Sequence, residues 1–448
     1  MAAVDAFDEA LVCGLLRPRS DRAAALTAFA DAVAGSPLAA RVAEATGKAA
    51  AGAAGEDHFV ALAAARTALL GSVHDALTTR IEEVTGRPRS AADGVQPSGG
   101  AQAPNLLLAA RSWLCDLARS GWQGIDHDLV SASAPVVSAM LPDPALRRLA
   151  TLLDGFAAEL AASCPGATLD RIPVRRWADL WSRALLLTLP GAADAAATGT
   201  ATGRLLPLGV DLHEHATAVQ AQVHAVFEPA DGSATRLVRA GVSAPKPDTV
   251  VGAGLWQLLR PHMSLLAAVG EGRSMDLADM PVTAEGDLIW SDAHARPGEA
   301  VDAFAAARVA LPAAGTSATA PLDRHPARIA APVFLEGYAT RTDDGGALIL
   351  TVAGADFAVD ADRIPTAGPL TPEAVAASSA CIGLLRWDAG TFTVQPLAVE
   401  TTVRRKAVAV HAGAWAGGTA DKAGAKAEKA ATDAAAVLRE RAGRLLRK

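Results

Sequence analysis

The chain has 448 residues, a net charge of −7 and 51% hydrophobic residues. That length suggests two to four domains, each with enough apolar material for a core. The acidic balance argues against nucleic-acid binding over the whole surface, which needs a basic face.

Aromatics make up only 4%, and much of the apolar remainder is alanine, so the eight tryptophans are the expected core anchors. Cys13, Cys115, Cys164 and Cys381 are far apart and form no CxxC pair. That spacing suits neither a structural zinc site nor a disulfide framework, and buried free thiols are expected. The acidic start, Met1 to Glu9, lacks a secretory signal, and no run of about 18 apolar residues could span a bilayer. A soluble, cytoplasmic protein is expected.

In chain order, residues 1–86 read as helical. Apolar residues recur at three- and four-residue spacing, as in Phe7, Leu11 and Leu15, then Leu26, Phe29 and Val33. Ser20-Asp21 is a plausible N-cap. The helix from Glu56 to Val84 is the clearest, ending before Gly86 and Pro88. A Gly/Pro/Ser linker occupies 87–104. A second helical segment, 105–189, holds helices at Leu106–Arg119, Asp143–Ala162 and Val174–Leu189. A linker at 190–203 follows.

Beyond Gly203 strand patterns take over. Segment 204–311 reads as a mixed β/α domain. Leu205–Phe227 alternates, a hairpin turns near Asp231-Gly232, and a helix at Gly254–Val269 is interrupted at Pro261. After a linker at 312–326, segment 327–411 carries five or so short strands and one helix, Thr371–Ser379. Its composition suits a small barrel or OB-like module. Residues 412–448 form an Ala/Lys-rich tail, helical by propensity. The expected fold class is therefore α+β and multidomain, with a helical N-terminal half, a β-rich C-terminal half and a basic helical tail.

The local cluster richest in chemistry is His213-Glu214-His215. On a strand, His213 and His215 share a face, as a metal pair would. No third ligand lies near in sequence, and His224 falls on the opposite face if the strand runs straight. No metal site or cofactor is therefore expected, and a solvated or hydrogen-bonded pair is the simpler reading. Gly252-Ala253-Gly254 and Gly270-Glu271-Gly272 lack the spacing of a phosphate loop. No GxSxG elbow occurs, Cys164 has no evident His partner, and the Asp pairs 276/279, 343/344 and 360/362 sit in turn-like contexts.

Two stretches suggest interaction instead. Trp177 and Trp181 lie one helical turn apart, flanked by Arg176 and Arg183, with Arg175 and Asp179 able to pair at i,i+4. They read as core anchors with snorkelling arginines, or as an aromatic/Arg docking face. The tail from Arg404 onward has eleven Lys/Arg and four Asp/Glu, so it carries +7, and the other 403 residues carry −14. A basic arm on an acidic body is expected, solvated, docked on a partner helix, or bound to nucleic acid or a membrane surface.

The segment Arg171–Leu187, with its Arg-Trp-x-Asp-Leu-Trp-x-Arg-Ala core, resembles a segment of uncharacterised actinobacterial proteins. These are encoded beside MoxR-type AAA+ ATPases, von Willebrand A-domain proteins and SWIM zinc-finger proteins. The resemblance covers under 5% of the chain and transfers no functional residue. It implies an accessory partner of such an ATPase. The leading expectation is thus a non-enzymatic scaffold or adaptor with protein partners. The alternatives are a metal-dependent hydrolase using His213 and His215, and a nucleic-acid-binding module at 327–410. The last predicts exposed rings among Phe357, Trp387 and Phe392.

Overall fold

A computed structural model describes all residues except 86–102, 142, 144–145, 167, 169–171, 191, 193–198, 215–217, 248, 284–285, 316–330, 389–390, 419–421 and 446–448. The first and third expected linkers therefore lie largely outside the described residues; of the second, 190–203, residues 191 and 193–198 do, whereas 199–203 are strand and not linker, the start of β1 (Gly199–Glu214). The fold is mixed α/β, with a helical N-terminal half and a strand-rich C-terminal half. It divides into two compact units, Met1–Ala196 and Ala197–Ser317 with Ala330–Lys448. Among the described residues, no helix is long and apolar enough to cross a membrane.

The first unit contains α1 (Ala2–Cys13), α2 (Ser20–Asp31), α3 (Ala39–Ala50), α4 (Glu56–Thr85), α5 (Pro104–Ser120), α6 (His127–Ser131), α7 (Ser133–Met140), α8 (Arg147–Ala162) and α9 (Val174–Leu187). The apolar stripes do bury: Phe7, Leu11, Leu26, Phe29, Phe59 and Leu62 are all inaccessible. Ser20 is the first helical residue of α2 and not its cap, and Arg19 precedes it in extended backbone.

The ends of α1 and α5 meet at two glycines. A Cβ on Gly14 would stand 2.7 Å from the Ser120 carbonyl, and one on Gly121 2.2 Å from the Gly14 nitrogen. Both have positive φ, so glycine serves space and conformation together. The contact is sealed by Leu15 N–H donating to Ala118 O (2.9 Å) and Leu16 N–H to Arg119 O (3.0 Å).

The second unit opens with β1 (Gly199–Glu214), β2 (Ala218–Pro229) and β3 (Arg236–Pro245). α10 (Leu255–Leu258), α11 (Met263–Glu271), β4 (Arg273–Val282), β5 (Asp287–Leu288) and β6 (Ala295–Ala300) follow. β1, β2 and β3 pair antiparallel in turn. β3 pairs parallel with β5, β5 antiparallel with β4, and β4 antiparallel with β1, so the pairings return to their start. β6 extends along β4. The expected helix at Gly254–Val269 is realised as α10 and α11 with a 3-10 turn, Arg260–His262, between them.

After α12 (Ala303–Val309) come β7 (Ala331–Glu336), β8 (Ala339–Thr342), β9 (Leu348–Val352), β10 (Ala355–Val359), α13 (Pro372–Ala376), β11 (Ser378–Asp388), β12 (Thr391–Val403) and β13 (Lys406–His411), then α14 (Lys422–Leu445). β8, β9 and β10 pair antiparallel in turn. β10 pairs parallel with β12, β12 antiparallel with β11, and β11 antiparallel with β7. β7 and β8 are separated by Gly337 and Tyr338, with Gly337 at φ 69°. Counted as one bent strand, β7/β8 gives the second sheet the same order of pairings as the first, with the helix again between the third and fourth strands. β13 adds to the length of β12 beyond β10.

Alternation sends Val210, Leu212, Val219, Ala221 and Val223 into the first core, against Leu265, Leu266 and Met275. Leu350, Val359, Val375, Cys381, Val394 and Val399 fill the second. A third cluster joins the sheets: Leu206, Leu208 and Val226 pack with Phe304 and Ala307 of α12 and with Ile382 and Ala398. Each such large side chain contributes about 1.5–3 kcal/mol on burial.

Candidate functional site

The face of the first sheet directed away from its core carries a buried polar band. Asp211 stands opposite Gln222 in register, His213 opposite Gln220, and Gly209 opposite His224. Directly opposed residues share a face, so His224 belongs with Asp211 and His213. The straight-strand parity expected from sequence fails because 205–227 falls on two antiparallel strands, β1 ending at Glu214 and β2 beginning at Ala218. Arg239 of β3 stands opposite His224 and, on its other side, opposite Asp287.

His213 Nε2 lies 2.8 Å from Asp211 Oδ2. Gln395 Nε2 of β12 donates to Asp211 Oδ1 (2.7 Å), tying the second sheet to the first. Arg239 Nε donates to Asp287 Oδ1 (2.9 Å). Lys246 Nζ lies 3.2 Å from Glu214 Oε1, so Glu214 is engaged on the opposite side of the strand from His213. Asp211, Gln222 and His224 are each 2% exposed. Buried polar groups cost free energy unless bonded, and here they bond chiefly to one another. The Gln222 side-chain nitrogen has no hydrogen-bond partner among the described residues.

His215 lies outside the described residues. Among the described ones, no group of three His, Cys, Asp or Glu side chains could hold a metal ion. His213 instead has a carboxylate partner two residues away on the same face, a pairing that spacing alone could have suggested.

α9 places its four candidate interaction residues differently. Trp177 and Trp181 are 0% exposed. Trp177 packs edge-on against Trp122 (centroids 5.6 Å apart) and tilted against Phe156 (5.9 Å), and Trp181 meets Phe59 edge-on (6.5 Å). Trp181 Nε1 donates to Leu114 O (2.9 Å). The rings thus hold α4, α5, α8 and α9 together within the helical unit. Arg176 pairs with Glu159 of α8, its Nε donating at 2.9 Å.

The expected Arg175–Asp179 pair does not form. Arg175 turns to Asp5 and Asp8 of α1, and Asp179 accepts from Arg183 Nε (3.2 Å) and Arg66 Nη1 (3.2 Å). Arg66 is the hub of this network. It also donates from Nε and Nη2 to the two oxygens of Asp8 (2.7 and 3.1 Å) and from Nη1 to Ser182 Oγ (3.1 Å). Burial pushes the Asp8 carboxyl above its usual range, against the pull of Arg66 and Arg175. Burial likewise lowers Arg183, with Asp179 opposing. The sequence gives no hint of Arg66, because its partners are 58 and 113 residues away.

A cleft of about 190 Å³ opens elsewhere in the second unit, lined by Trp256, Gln257, Arg260, Met263, Trp415 and Gly417 among others. Trp256 is fixed by its Nε1 donating to Ala367 O (2.7 Å). α14 runs beside it, against Gly252–Gly254, and Gln257 Nε2 donates to Thr432 Oγ1 (3.2 Å).

Of the rings expected to be exposed on the second sheet, Phe357 is half-buried against that sheet's core. The side chains of Trp387 and Phe392 lie outside the described residues. Comparison with protein-family models, with characterised proteins and with solved structures finds no match to this chain.

Proposed function

We propose that this protein is a non-enzymatic scaffold or adaptor of a cytoplasmic assembly, with a MoxR-type AAA+ ATPase system as its expected partner. One observation carries the reading: two sheets with the same order of pairings are fixed side by side in one unit. The joint is the shared apolar cluster on α12 and the buried Gln395–Asp211 bond. We read each ring of pairings as a small OB-type barrel, a frame whose outer strands and loops commonly serve recognition. The polar groups around His213 support this role better than catalysis. They bond chiefly to one another and, through Asp211, to Gln395 of the second sheet, and none of them lines the cleft.

The test is co-purification. The tagged full-length chain, expressed in its native cell, should retain a stoichiometric protein partner through washing, with the AAA+ ATPase the expected one. Recovery as a lone monomer would sink the reading.

A second reading, binding of single-stranded nucleic acid, is favoured by the doubled OB-type connectivity together with the concentration of cations after residue 403. The acidic remainder of the chain would confine such contact to that basic end.

A further inference from the structure

The β12–β13 hairpin ends in an exposed strand. Lys406 to Ala409 are exposed on both faces of the strand, including Val408 at 40%. β13 pairs with β12 alone, so its other edge is open among the described residues. The turn is Arg404-Arg405, both with positive φ (50° and 65°). Such a two-residue turn strongly favours Asn-Gly, since side chains other than Gly and Asn are strained there. Two arginines occupy it and Lys406 follows. None of the three has a carboxylate partner among the described residues, whereas Arg239, Arg308, Arg341 and Arg363 all do.

Register says which backbone groups are on offer. A two-residue loop makes Val403–Lys406 a hydrogen-bonded pair, so Lys406, Val408 and Val410 bond to β12. Ala412 N–H donating to Leu397 O (2.8 Å) continues that parity. Ala407 and Ala409 therefore turn their N–H and C=O groups to the open edge. An uncharged open edge normally invites pairing, and folds guard against it with charge or cover. Here the charge sits at one end only.

We infer that β13 is a docking strand for an extended, acidic-ended segment of a protein partner, which adds antiparallel to its open edge. This rests on the adaptor reading and names the surface that reading uses. Antiparallel addition places the C-terminal end of the incoming segment beside Lys406, Arg405 and Arg404, so its acidic residues belong there. Backbone bonds to Ala407 and Ala409 supply the pairing, and the three cations set its direction.

The probe is a fluorescein-labelled peptide, a short Val/Thr stretch followed by three aspartates, titrated into the full chain and read by anisotropy. A control peptide carries the same residues with the aspartates first. The aspartates-last peptide should bind more tightly. Ala409→Pro, which removes one open-edge donor without touching the β12 ladder, should abolish the difference. Arg404→Asn with Arg405→Gly gives the turn its preferred residues. It should leave thermal stability equal or higher while weakening the peptide about tenfold. That split separates recognition from a merely structural role.

Four outcomes would overturn the inference. They are equal binding of the two peptides, no binding at millimolar peptide, dimerisation of the chain through this edge, and capture of a single-stranded oligonucleotide by the same arginines. If the co-purifying partner is retained equally by the Asn-Gly variant, the docking strand falls and the adaptor reading stands. If the full chain holds no partner while the probe behaves as expected, the reverse is true.

Discussion

Replacing Arg66 by methionine removes the hub of the helical unit. The guanidinium is 1% exposed and makes two bonds to Asp8, one to Asp179 and one to Ser182. Methionine fills much of the volume and supplies none of the donors. Asp8, itself 1% exposed, would keep only Arg175 Nε at 3.4 Å as a charge partner among the described residues. Leaving a buried charge uncompensated costs about 3–5 kcal/mol. In a unit of this size, that corresponds to a fall in melting temperature of about 10 °C.

The cost should depend on pH in a definite direction. With Arg66 gone, burial dominates, and the folded-state pKa of Asp8 stands further above its ordinary value of 3.8. Stability is then held below that value and lost as pH rises through the folded-state pKa. Replacing both residues, Asp8→Leu with Arg66→Met, removes the stranded charge and should recover most of the loss, because Asp179 keeps Arg183. Thermal unfolding followed by far-ultraviolet circular dichroism reads both variants against the unaltered chain. A single variant costing under about 1 kcal/mol, or a double variant no more stable than the single, would show that Arg66 does not compensate a buried Asp8 charge.

Two further outcomes are expected. His411 is held below its ordinary pKa of 6.5 by burial, with Asp302 opposing, and its ring lies edge-on to Phe304 at 6.0 Å. The unfolded chain therefore takes up a proton that the folded one refuses, so stability is full above about pH 6.5 and falls below it. Urea midpoints should show this, and His411→Phe should flatten the dependence. Gly209→Ala would set a Cβ 2.7 Å from Leu397 Cβ across the joint between the sheets. It should cost about 1–3 kcal/mol and speed amide exchange in β12 before β9, and unchanged exchange would mean that the joint is loose.

Local pattern carried the helical half well. The spacing of Phe7, Leu11, Leu26 and Phe29 is a core stripe, and the one-turn spacing of Trp177 and Trp181 puts both rings on the buried side of α9. Spacing could not say what surrounds that helix, so an aromatic/Arg face that looks like a docking surface is filled from within by Trp122, Phe156 and Phe59. In the strand-rich half, the turn at Asp231-Gly232 was legible because its residues demand it.

No such residues stand in the sequence between Glu214, where β1 ends, and Ala218, where antiparallel β2 begins, and reading across them as one strand placed His224 on the wrong face. The return of the first sheet to β1 was not legible either. It depends on β5, two residues long, and on pairings such as Leu205 with Met275 that no local signal marks. Likewise, Gln395 meets Asp211 across 184 residues, so the polar joint exists only in three dimensions.

The shared cluster on α12 also sets an order of events during synthesis. The first sheet can complete its pairings once residue 300 has emerged, because all its strands lie before that point. Its outer patch of Leu206, Leu208 and Val226 must then wait for Ile382 and Ala398. In that interval the nascent chain carries a finished module with an uncovered apolar side, a state prone to wrong association. α12, made immediately after the first sheet, is the piece in position to shield it first, with Phe304 covering the patch until the second sheet arrives.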